Sequence, residues 1–166
     1  HPQMVVSGVN LGPNLSQDSY HSGTMGAARE AGLYGVPAIA SSFTSFDPNG
    51  IERAVDATLE AVEKAASVLP IKAANLGRPQ GALDAGYFTS WPAPATDDRW
   101  LEDPERALLE AFSNGDMMLN INAPSSWDGA WATTRLGVRW YRNAVRFGDE
   151  GVDATATFTI GAALVD

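Results

Sequence analysis

The chain is predicted to be an α/β protein, a Rossmann-like three-layer sandwich with a mostly parallel central sheet and a C-terminal β-hairpin extension. Three observations lead there. The first 42 residues run strand, polar loop, helix, strand. A long amphipathic helix follows. A later apolar run, Met117–Asn122, supplies a further strand. A strand–helix–strand unit of this length needs a crossover and therefore parallel strands.

Gln3–Ser7 reads as a short buried strand, because Met4-Val5-Val6 is apolar and polar residues and Gly8 bound it. Gly8–Ser22 reads as loop, with two Gly, a Pro and two Asn. A helix is expected from about Thr24 to Tyr34, with Ser22 or Thr24 as N-cap, Gly35 as its stop and Pro37 just beyond. Val36–Ser42 is the second strand. Asp47-Pro48-Asn49 opens the next helix, on which Ile51, Val55, Leu59, Val62, Ala66 and Leu69 recur at helical spacing; Pro70 ends it.

Residues 71–100 lack periodicity and are rich in Gly and Pro, which reads as a loop insertion, with Tyr87–Trp91 as one short strand within it. Asp103-Pro104 caps a helix to Asn114 that stops at Gly115. Ala132–Leu136 and Arg139–Phe147 read as strands, Gly148–Gly151 as a hairpin turn and the Thr-rich Asp153–Ile160 as the return strand, making 139–160 a β-hairpin extension. No linker divides the 166 residues, so one domain is expected.

Composition narrows the function. Net charge is −9, with only Lys64 and Lys72 against nine Arg, so a nucleic-acid polymer is an unsuitable partner: binding its backbone needs a basic patch. Small phosphates stay open, since a local loop can override the global field. No apolar run approaches the roughly 20 residues that span a bilayer, so no membrane partner is expected. The lack of Cys excludes disulfides and thiolate metal sites and fits a cytoplasmic setting. No basic-then-apolar leader is visible, and His1 is not an initiator Met, so the chain reads as a piece of something longer.

The chemistry concentrates in residues 7–24. A loop at the carboxyl end of a parallel strand is where open α/β sheets bind ligands. This one exits into Ser22-Gly23-Thr24 at a helix N-terminus, whose unpaired N–H groups attract anions. Gly23 permits close backbone approach, and the Ser22 and Thr24 hydroxyls can donate to phosphate; equally, Ser22 can serve as a cap alone. The amide oxygens of Asn10 and Asn14 suit Mg²⁺ or Mn²⁺ beside carboxylates, but each Asn also suits a turn. His21 is a donor candidate or a plain loop residue. Trp91, Trp100, Trp127, Trp131 and Trp140 can stack a base or pack a core or interface. Asp149-Glu150 reads as turn chemistry.

Ser7-Gly8-Val9-Asn10-Leu11-Gly12-Pro13-Asn14 followed by Ser22-Gly23-Thr24 resembles the corresponding segment of the SurE (survival protein E) family, metal-dependent nucleotidases acting on nucleoside monophosphates. Val36-Pro37-Ala38-Ile39-Ala40, Leu119-Asn120-Ile121-Asn122-Ala123-Pro124 and Thr134-Arg135-Leu136-Gly137 resemble later family segments in the same order. The resemblance implies that Asn10 is a metal ligand, that Asn14 lines the same pocket, and that Ser22, Gly23 and Thr24 hold phosphate. It implies a divalent ion (Mg²⁺ or Mn²⁺), a nucleoside monophosphate or other small phosphomonoester as substrate, and a homodimer or homotetramer built partly by the hairpin. The family's adjacent Asp pair and a Ser ligand belong upstream of the first matched segment, and its later segment follows the last. The chain is therefore expected to be truncated at both ends and, alone, nearly inactive. Asp97-Asp98 lies too far downstream to substitute.

A non-catalytic nucleotide- or phosphate-binding module is the alternative. A dinucleotide-binding oxidoreductase is disfavoured, because Gly8 and Gly12 do not follow Gly-x-Gly-x-x-Gly and no acidic residue ends the next strand.

Overall fold

A computed structural model describes residues 2–69, 102–141, 145–147, 156–158 and 162–165. Three parallel strands form the central sheet in the order β1-β2-β3: β1 Val5–Leu11, β2 Ala38–Phe43 and β3 Met118–Ala123. Helix α1 (Asp18–His21) and α2 (Gly23–Leu33) connect β1 to β2. Helix α3 (Ile51–Val68) follows β2, and α4 (Pro104–Asn114) leads into β3. The parallel pairing of the first two strands and the helix between them are as the sequence predicts.

The central strand β2 is buried at all six positions, and its alternate residues serve opposite helical layers. Ala38 and Ala40 join Val36 and the α2 residues Met25, Ala28 and Ala31 in one core. Ile39 and Phe43 join Ile121, Ala123, Phe112 of α4 and the α3 alanines in the other. Helices on both faces of a parallel sheet make the three-layer sandwich.

Four expectations need correction. Residues 8–22 are not all loop. Strand β1 runs on to Leu11 through a β-bulge, with Ser7 opposite Ala40 but Asn10 opposite Ser42, and α1 occupies 18–21. Gly8 permits this: its φ is +127°, and a Cβ there would collide with the Ser41 carbonyl. The buried stripe of α3 is Ala54, Ala57, Thr58, Ala61 and Ala65, while Val55, Leu59 and Ala66 face outward. Alanines let the helix approach the sheet closely, and the larger apolar residues lie around the cylinder. The N-cap position of α3 is Gly50; Asp47 instead closes a turn by accepting from the Asn49 N–H at 3.0 Å. Residues 132–136 form no strand.

Two antiparallel strand pairs are described in the region of the hairpin expected at 139–160. Strand β4 (Val138–Tyr141) pairs antiparallel with β7 (Ala162–Val165), and β5 (Val145–Phe147) with β6 (Ala156–Phe158). Tyr141 faces Ala162 in the first pair, and Val145 faces Phe158 in the second. The expected insertion at 71–100, Asp97-Asp98 and the turn at 148–151 lie outside the described residues. No helix of the described residues is long and apolar enough to cross a membrane.

Candidate phosphate site

The carboxyl edge of the sheet carries a row of polar side chains where apolar ones would be usual. Asn10 of β1 stands opposite Ser42 of β2, and Ser42 opposite Asn122 of β3. Residues opposite one another across adjacent strands share a face, so all three stand on the α2 side. Asn120, opposite Ala40, stands there too.

Asn14 lies across this row, buried, and is gripped from two strands. The Asn122 side chain acts on both ends of its backbone: Oδ1 accepts from the Asn14 N–H at 2.9 Å, and Nδ2 donates to the Asn14 carbonyl at 3.2 Å. Asn120 Nδ2 donates to the same carbonyl at 3.0 Å. The Asn14 side-chain amide donates to Ser42 Oγ at 2.7 Å. Buried polar groups left unpaired are costly, and here each partner satisfies another. Asn10 Nδ2 donates to the Gly12 carbonyl at 2.7 Å. Gly12, at φ +106°, donates its N–H to the Phe43 carbonyl at 3.0 Å, which seats the loop on β2.

Helix α2 begins on the same side of the sheet. Ser22 is its N-cap: Oγ accepts from the Met25 N–H at 3.2 Å, and the Ser22 carbonyl accepts from Gly26 at 2.8 Å. The Gly23 and Thr24 amides then have no intrahelical acceptor. A Cβ at Gly23 would meet nothing within 4 Å, so the helix end opens onto free space. Arg29, nearly two turns into α2, donates to the carbonyls of Ser19 at 2.8 Å and Tyr20 at 3.4 Å and so ties α1 to α2. His21 is exposed in the last turn of α1.

The structure thus joins Asn14 to Ser42, Asn120 and Asn122, and aligns Asn10 with them; Ser22, Gly23 and Thr24 occupy the start of α2. Ser42, Asn120 and Asn122 are the partners that reading by position misses. Their signal is present in part: two Asn alternating within an apolar strand are out of place unless they hold something.

These residues do not by themselves fit a divalent metal. With Nδ2 of Asn10 committed to Gly12, Asn10 has its Oδ1 to offer, and the oxygens of its Asn and Ser neighbours are neutral too, whereas hard cations take several oxygens including carboxylates. Among the described residues no group of three or more His, Cys, Asp or Glu could hold a metal ion.

An open parallel α/β sheet with amide side chains along its carboxyl edge and a helix beginning on the same side defines the class. Within that class, the family model described as "Survival protein SurE" matches residues 1–143, and the chain belongs to the SurE family. Relatives named 5'-nucleotidase SurE include one from Desulfitobacterium hafniense, 58% identical over 45 residues, which are 27% of this chain and 18% of the relative. One from Nitrosococcus oceani is 41% identical over 86 residues, 48% of this chain and 34% of the relative. One from Synechococcus elongatus is 43% identical over 63 residues, 38% and 24% respectively. The crystal structure of the SurE protein from Aquifex aeolicus matches with a TM-score of 0.55 at 22% identity, over 97% of this chain and 48% of that one. That likeness shows the fold. The chain spans about half the length of that solved protein, and its matches to the curated relatives span about a third of their length or less.

Proposed function

We propose that the whole protein is a phosphomonoesterase that hydrolyses nucleoside monophosphates to nucleoside and phosphate, and that this chain supplies its phosphate-holding edge. The observation that carries the reading is the row Asn10–Ser42–Asn122 on the α2 face, with Asn14 locked above it. In this reading the Gly23 and Thr24 amides and the Thr24 hydroxyl donate to phosphoryl oxygens, favoured by the helix dipole. Ser22 keeps that terminus formed. Donors fixed before the reaction need no reorganisation as charge builds on the phosphoryl group. A Mg²⁺ or Mn²⁺ ion belongs to the reading as a property of the whole protein, with Asn10 giving one oxygen and carboxylates beyond the described residues giving the charge. Assembly as a dimer or tetramer through the β4–β7 ribbon and a cytoplasmic setting complete it.

The test is release of inorganic phosphate from nucleoside monophosphates by the whole protein, with and without a chelator. The expected result is turnover that the chelator abolishes and that Asn10→Ala lowers by about 100-fold. Chelator-insensitive turnover, or an Asn10→Ala variant as active as the parent, overturns the metal role. A non-catalytic phosphate-binding module is the second reading, favoured by the lack of an acidic cluster among the described residues. It predicts calorimetric binding of phosphate without turnover.

A further inference from the structure

We propose that Phe46 is the surface on which the base of the nucleotide stacks, an inference that rests on the phosphomonoesterase reading of the neighbouring loop. Phe46 lies in the segment between β2 and α3 and is 64% exposed. A ring held out in water offers its face for stacking on a flat partner. It is not a loose one. A Cβ added at Gly12 would come within 2.5 Å of Phe46 Cε1, 3.1 Å of Cδ1 and 3.2 Å of Cζ. One edge of the ring therefore rests on Gly12, and the rest is left to solvent.

Gly12 is the residue whose carbonyl Asn10 grips, and Asn14 follows two residues later. Phe46 thus abuts the glycine that lies between the two candidate ligand residues, Asn10 at the end of β1 and Asn14 in the loop. The segment that presents it is anchored at several points. Thr44 N–H donates to the Ala123 carbonyl at 3.1 Å, Asp47 N–H to Ser45 Oγ at 3.0 Å, and Asn49 N–H to Asp47 Oδ1 at 3.0 Å. Leu11 and Leu15, in the Gly12–Asn14 loop region, are also exposed. A neutral, amide-lined floor with an apolar, aromatic margin matches a ligand that is anionic at one end and flat and apolar at the other. A nucleoside monophosphate has that form; a sugar phosphate has only its anionic half.

The experiment compares a nucleoside 5'-monophosphate with ribose 5-phosphate, using the whole protein and its Phe46→Ala and Phe46→Trp variants. Turnover gives kcat and KM, and calorimetry gives affinity independently of turnover. Phe46→Ala is expected to raise KM and weaken binding for the nucleotide about tenfold at nearly constant kcat, with no change for ribose 5-phosphate. Phe46→Trp is expected to restore nucleotide affinity. Equal losses for both ligands would mean that the ring only supports the Gly12 loop, and would overturn the inference. So would no change for either, or a change of oligomeric state on sedimentation with the nucleotide-to-sugar ratio intact, which would assign the ring to a second copy of the chain. Absence of phosphate release from both esters counts against the catalytic reading alone, because the affinity ratio still reports stacking. Failure to bind either ligand overturns both.

Discussion

On the α3 side of the central strand, Ile39 and Phe43 meet alanines, and the one polar pair there, Ser41 with Thr58, is hydrogen-bonded at 2.6 Å. On the α2 side, the same strand begins with Ala38 and Ala40 and ends with Ser42, under Asn14 and between Asn10 and Asn122. One face ends apolar, at Phe43; the other turns polar at the carboxyl edge. Six consecutive residues thus face an apolar core on one side and, at their carboxyl end, the proposed ligand edge on the other. The two can be altered separately because successive side chains of a strand point to opposite faces.

The sharpest way to break this contrast is Phe43→Ala. Phe43 is fully buried, and the substitution should cost about 3–5 kcal/mol, read as a lower urea midpoint. A loss below 1 kcal/mol would mean that the α3 face is not the stabilising one. Asn122→Ala comes next. It leaves the Asn14 N–H without its acceptor, removes one of the two donors to the Asn14 carbonyl and should cost about 1–3 kcal/mol, with faster hydrogen exchange at the Asn14 amide. An effect as large as that of Phe43→Ala would make the amide row structural and erase the distinction. The smallest effect is expected from Ser22→Ala, about 1 kcal/mol in thermal unfolding, the usual worth of an N-cap. If phosphate affinity falls much further than helix stability does, Ser22 is a ligand contact as well as a cap.

The strand–helix–strand opening is legible because local signals agree there. Val5-Val6 is followed by polar residues, and Gly35 and Pro37 close the helix between two apolar runs. The outward face of α3 is misread for a physical reason. Periodicity weights Val55 and Leu59 above Ala57 and Ala61, but a helix lying on a sheet selects for small side chains at the contact, and bulk is displaced sideways. The site divides the same way. Asn10, Asn14 and the Ser22–Thr24 segment announce themselves through Gly and Pro neighbours. Asn122 does not reveal its role, because its partner is 108 residues away and only the parallel register brings them together.

The bulge at Gly8 and Val9 has a consequence for how such a site arises. Val5, opposite Ala38, packs toward α2, and strict alternation would carry Val9 to that side and Asn10 into the apolar core. The extra residue reverses the phase. Val9 packs with the α3-side cluster, and Asn10 emerges in line with Ser42. What sets Asn10 in line with Ser42 is therefore the number of residues in the strand rather than the identity of Asn10's neighbours. One inserted residue moves every later side chain of the strand to the other face, and its deletion would return them all at once.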